Sequence, residues 1–200
     1  MRRLEFFFDC SSPWTYLAFA RIEKVAAMIA ATIEWRPILI GGIFNQVNPS
    51  VYYNRENPVP EKIAYMHKDL RDWCELQGLE INWPELFPVS SVAAMRGALY
   101  AQDQNMLPAY ARKVFEAYWR DGADIANPQI LAALAGKCGL NQEAFLTALK
   151  EQAIKDRLRE NTQELADRGG FGSPTIFIDR DDMYFGNDRL DLIMAKYRAG

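Results

Sequence analysis

The chain opens with a strand that runs almost directly into a helix. Leu4 to Phe8 is short, apolar and rich in Phe, and Asp9 ends it. Three residues later Ser12-Pro13 has the form of an N-cap followed by the first helical position, and Trp14, Leu17, Ala18, Ile22 and Val25 then recur at helical spacing. Ile33 and Trp35, alternating with Thr32 and Glu34, predict a second strand ahead of Pro37. A β-α-β unit buries its apolar face only by joining a larger sheet, so the missing strands must come from elsewhere in the chain.

They come from the far end. After Gly169-Gly170, Thr175 to Ile178 is β-branched and aromatic, residues 179–182 form a polar turn, and Met183 to Phe185 predicts another short strand. Asn187-Asp188 precede a final helix carrying Leu190, Ile193, Met194 and Tyr197. A β-α-β start and a β-β-α finish make one mixed sheet only if they meet across what separates them, which is the thioredoxin-fold order. Between them, Gly41 to Pro60 reads as a loop with at most short helical turns. Helices are expected over Glu61 to about Gly78, Ser91 to Gln104, Pro108 to Arg120, Asn127 to Gly136 and Asn141 to Gly169. The expectation is an α/β thioredoxin-like fold with a large all-helical insertion: residues 1–45 and 166–200 form the two thioredoxin-like parts and residues 46–165 the insertion.

Composition narrows function. Half of the 200 residues are hydrophobic, and the net charge of -3 provides no basic stripe for nucleic acid. No apolar stretch is long enough for a signal-peptide core or a membrane span. Cys10, Cys74 and Cys138 are odd in number, with neither CxxC nor zinc-type spacing, so the reading is a reduced, cytoplasmic protein without structural metal. His67, the single histidine, lies beside Lys68 and Asp69 and is expected on a helix surface rather than beside a nucleophile.

Three constellations carry the chemistry. A group at Ser12 meets the unpaired N–H groups and dipole of a helix N-terminus, where negative charge such as a thiolate is favoured. Ser173-Pro174 enters the third strand where a cis X-Pro bond is often found, and it turns the Ser173 backbone toward an extended peptide. Gly186-Asn187-Asp188-Arg189 is a second helix start able to hold a small charged ligand. Each taken alone also serves as an ordinary cap or strand start.

Taken together, FDCSSPWTY, Lys62 in EKIAYMHKDL, Ser91 to Arg96, FGSPT and FGNDR resemble the kappa-class glutathione transferases and 2-hydroxychromene-2-carboxylate isomerases, relatives of DsbA, over nearly the whole chain. Redox relatives have Cys-Pro-Trp-Cys where this chain has Ser12-Pro13-Trp14-Thr15. The resemblance implies glutathione as cofactor, with Ser12 approaching its sulfur and the Ser173 backbone, ahead of Pro174, pairing with the cysteinyl part. It also implies that Asn187 and Asp188 hold the γ-glutamyl end and Lys62 the glycine carboxylate. The asparagine that the family places near the ligand is here Asn54 or Asn57. A small aromatic substrate would lie between the sheet and the helical block, with Tyr52, Tyr53, Trp83 and Phe87 as candidate walls and Arg96 as a candidate for its carboxylate. The leading reading is a glutathione-dependent isomerase. A kappa-type transferase or peroxidase, and a non-catalytic DsbA-like peptide-binding module, stand as alternatives. Asn187, Asp188 and Lys62 favour glutathione over a bare peptide groove. The resemblance also implies a homodimer through the helical block.

Overall fold

The computed structural model describes residues 2–198. Its central strand, β1 (Arg2–Phe8), is buried on both faces from Leu4 onward. Leu4, Phe6 and Phe8 turn to one layer and Phe7 to the other, all fully buried. Full burial of each phenylalanine contributes about 2 kcal/mol, and this double-sided burial makes β1 an interior strand.

Along the chain follow α1 (Pro13–Met28), β2 (Ala31–Pro37), α2 (Ile40–Val47), α3 (Ser50–Glu56), α4 (Pro60–Gln77), α5 (Val92–Asp103) and α6 (Leu107–Trp119). Then come α7 (Pro128–Lys137), α8 (Gln142–Ala148), α9 (Gln152–Asp167), β3 (Thr175–Ile178), β4 (Asp182–Phe185) and α10 (Arg189–Tyr197). The sheet order is β2-β1-β3-β4. β2 runs parallel to β1, with Phe6 opposite Trp35, and β3 runs antiparallel to it, with Phe6 opposite Ile176. The two ends of the chain therefore close one mixed sheet around the helical block, in the thioredoxin-type order expected.

Phe6, Phe8, Phe19, Trp35 and Phe115 join sheet, α1 and α6 in one aromatic core. On the opposite face Phe7 and Phe177 pack with Ile38, Ile43 and Leu165, below α2 and α9. Among the described residues no helix is long and apolar enough to cross a membrane.

Two segments differ from the sequence reading. Residues 41–60 are mostly helical, as α2 and α3. Gly42 interrupts nothing; a Cβ there would stand 3.0 Å from the Thr162 methyl, so the glycine lets α2 approach α9. The single helix expected over Asn141 to Gly169 is two, because the chain turns extended at Glu151 (ψ 136°) before α9 begins. Residues 149–151 contain neither glycine nor proline to announce the break.

Candidate functional site

Ser12 is the N-cap of α1, with an extended backbone (φ −101°, ψ 123°) and Pro13 at the first helical position. Its Oγ accepts from the Thr15 N–H at 3.3 Å and donates to the Ser173 carbonyl at 3.1 Å. The Ser173–Pro174 bond is cis, as expected. One hydroxyl thus bridges the start of α1 and the loop entering β3, and no acidic residue lies in the first turn of α1.

That loop is fastened by residues the sequence reading did not single out. Ser173 Oγ accepts from the Asp9 N–H at 3.1 Å and shares a 2.7 Å hydrogen bond with Thr15 Oγ1, a fully buried hydroxyl. Asp9 is fully buried as well and faces no cation among the described residues. Its Oδ1 accepts from the N–H and Oγ of Ser11, both at 2.9 Å; its Oδ2 accepts from Ile40 N–H and Ser91 Oγ, both at 2.8 Å. Burial raises its pKa above the ordinary aspartate value, and these four donors pull it part of the way back. One carboxylate therefore fixes the site loop, the start of α2 and the start of α5. The sequence signal was a charged residue directly after three phenylalanines; its partners are distant in the chain.

The three thiols are poor nucleophiles. Burial, reinforced by the charge of Asp9, pushes the Cys10 thiol well above its usual range, while burial raises Cys74 to about 11 and also raises Cys138. Among the described residues no cluster of three or more His, Cys, Asp or Glu is placed to hold a metal.

The Gly186 N–H donates to the Pro174 carbonyl at 3.1 Å, so Asn187 and Asp188 lie one turn beyond the cis-proline. Asn187 is 3% exposed, and its Nδ2 has no hydrogen-bond partner. The Asp188 carboxylate is half-exposed and paired with Arg189 at 2.8 Å. Lys62 is exposed in the first turn of α4. Asn57 donates from Nδ2 to the Tyr53 carbonyl and closes α3, whereas Asn54 is exposed on that helix.

Of the proposed substrate walls, Trp83 and Phe87 stand together, ring centroids 4.7 Å apart, and both pack on Trp119. The Trp119 Nε1–H donates to the Cys10 carbonyl at 2.9 Å, which sets this cluster beside the Ser12 turn. His67, expected on a helix surface, is half-buried with its ring 4.5 Å from Trp83. Tyr52 belongs to the α2–α3 side, edge-on to Phe44, and the Arg55 guanidinium lies 5.6 Å from Phe44 and 5.7 Å from Phe87, linking the two sides. Tyr53 is 67% exposed, and among the described residues no aromatic contact joins it to this cluster. Arg96 stands apart, against α8, with Nη1 3.4 Å from the Leu149 carbonyl.

The model of the DSBA-like thioredoxin domain matches residues 3–198. A 2-hydroxychromene-2-carboxylate isomerase of Pseudomonas putida is 32% identical over 95% of this chain and 91% of its own length. Human glutathione S-transferase kappa 1 is 28% identical over 96% of this chain and 89% of its own. A solved structure of a 2-hydroxychromene-2-carboxylate isomerase superposes with a TM-score of 0.83 at 30% identity, covering 97% of this chain and 93% of that one.

Proposed function

The chain belongs to the DsbA-like thioredoxin domain family, on the branch of the 2-hydroxychromene-2-carboxylate isomerases and kappa-class glutathione transferases, and from that premise we propose that it is a glutathione-dependent isomerase of an aryl pyruvate-type acid such as 2-hydroxychromene-2-carboxylate. The observation that carries the proposal is the contact between Ser12 Oγ and the Ser173 carbonyl in a site whose own thiols are held protonated. The sulfur chemistry of the family must here come from a ligand.

The residues fit such a ligand. The buried Asn187 Nδ2 has no hydrogen-bond partner among the described residues and offers a donor to an incoming acceptor. Asp188 supplies a carboxylate for an ammonium group, Lys62 an ammonium for a carboxylate, and Ser173 a backbone carbonyl for a peptide N–H. When bound, glutathione would supply a sulfur whose reversible addition to a conjugated carbon turns a double bond into a single bond that can rotate, with elimination then restoring the double bond and the thiol.

The protein's part is to hold that sulfur ionised. A peptide N–H arriving at the Ser173 carbonyl replaces the Ser12 hydroxyl, which then turns and donates to the sulfur. Thr15 Oγ1 and the Asp9 N–H hold Ser173 Oγ meanwhile, so the loop keeps its place. The hydroxyl and the N-terminus of α1 favour the anion. An effect like that on cysteines in comparable positions lowers the thiol from near 8.5 by about one to two units. Trp83 and Phe87 flank the substrate ring beside the Ser12 turn.

The test is glutathione titration by calorimetry, with oxidised and S-methyl glutathione alongside, followed by isomerisation of 2-hydroxychromene-2-carboxylate. Absence of heat with all three ligands would refute glutathione dependence; heat without isomerisation, but with conjugation of an aryl halide, would assign the site to transferase chemistry instead. We also propose a homodimer through the helical block, on family resemblance, and sedimentation at micromolar concentration giving a monomer mass would contradict it.

A further inference from the structure

Arg96 is at odds with its surroundings. A guanidinium drawn out of water is normally matched by an acid or by filled hydrogen bonds. Arg96 is partly buried, its Nε is shut off from solvent without a partner, and among the described residues its one hydrogen bond is the long contact to Leu149. It lines a cavity of about 450 Å³ between the starts of α5 and α7 and the end of α8. Val92, Pro128, Leu146 and Leu149 form apolar walls, and Lys150 stands exposed at the rim. Among the described residues no acidic side chain lines the cavity. The hollow beside Arg3, Arg168 and Arg180 is different, because Glu5, Glu164 and Asp181 line it too and balance its charge.

We propose that this cavity is a second binding site, for a small organic carboxylate. Its acid group sits on Arg96, with Lys150 beside it, and its hydrocarbon body lies between Leu146, Leu149, Val92 and Pro128. A guanidinium takes a carboxylate in a paired, planar contact. The apolar walls favour an organic acid over inorganic phosphate, whose remaining oxygens would be left against methyl groups. The cavity shares no residue with the groove at Ser12 and Ser173, so the inference stands apart from the proposed isomerase activity.

The probe is 4-phenylbutyrate, titrated calorimetrically into the full chain. Saturable sub-millimolar binding is expected, with 4-phenylbutyramide and inorganic phosphate weaker by about tenfold or more, the scale of losing one charge-assisted contact. Arg96→Gln should weaken binding to a similar degree, and Ala93→Phe, which fills the cavity from α5, should abolish it. Lys150→Gln, on an exposed side chain that leaves the fold intact, should weaken it by about threefold. S-methyl glutathione should bind at the same time without competition. Unsaturable binding, equal binding of the amide, effective displacement by phosphate, competition with S-methyl glutathione, or unchanged affinity in Lys150→Gln together with either other variant would each overturn the proposal.

Discussion

Glu5 and Asp9 lie four residues apart on the same side of one stretch of chain, both essentially inaccessible, and they are treated in opposite ways. Glu5 is ringed by full positive charges: Arg3 at 2.8 Å, Arg168 at 2.7 Å and Arg36 at 3.6 Å. Burial alone would raise its pKa, but the Arg168 hydrogen bond and the charges of Arg168, Arg3 and Arg36 outweigh burial and hold it below the usual glutamate value. Asp9 has only neutral donors, and burial wins. Cations fasten the sheet at Glu5. Beside the Ser12 turn, dipoles alone fix the chain, so in the proposed function the favour for an anionic sulfur would rest on the α1 N-terminus and one hydroxyl.

The sharpest way to break the comparison is to neutralise each acid. Glu5→Gln removes the carboxylate that three arginines share and should cost about 3 kcal/mol in urea unfolding, the lower end of the range for a broken buried pair because Arg3 keeps Glu34, Arg36 and Arg168 keep Glu164, and all three remain partly exposed. Asp9→Asn turns an amide NH2 toward groups that now donate, leaves one of them unpaired, and should cost about 2 kcal/mol.

The two losses should depend on pH with opposite slopes. Glu5 has a folded pKa below 4.5, so its contribution is complete above that value and fades as pH falls through the folded pKa. Asp9 has a folded pKa above 3.8, so its contribution is complete below that value and fades as pH rises through the folded pKa. Urea titrations between neutral pH and about pH 3 should show the Glu5→Gln gap closing toward acid and the Asp9→Asn gap widening. Parallel curves would mean that the two acids do the same job.

Next in size is Ser12→Ala. Glutathione binding should persist, the bound thiol should titrate about one unit higher by its ultraviolet absorbance, and turnover at neutral pH should fall about tenfold. If both proteins titrate and turn over alike, Ser12 is a helix cap only. The smallest effect belongs to Thr15→Val, which keeps the shape and removes one hydrogen bond from Ser173; about 1 kcal/mol or less of stability should go, seen as a small shift in the urea midpoint.

Much of this was legible in the sequence, for physical reasons that also mark where legibility ends. The strand at Leu4 to Phe8, the cap at Ser12-Pro13 and the entry at Ser173-Pro174 are local signals, each made by neighbouring residues. α2 was missed because Gly41-Gly42 looks like a break until Thr162, more than a hundred residues later, shows what the second glycine is for. The role of Asp9 depends on Ile40 and Ser91 in the same way, and that of Trp119 on the Cys10 carbonyl. Residue type alone groups Tyr52, Tyr53, Trp83 and Phe87 as walls with Arg96 for a carboxylate between them, and only the three-dimensional arrangement separates Arg96 into a cavity of its own.

The Ser12–Ser173 hydrogen bond also bears on which thiols a crowded mixture delivers to the site. A small thiol without an amide would find the hydroxyl already committed and keep only the help of the α1 N-terminus in ionising. A thiol carried on a peptide, as the proposed function has it, would free that hydroxyl by the act of docking. Recognition and reactivity would thereby arrive in a single event, and selectivity among thiols would follow from one proton having two places to go.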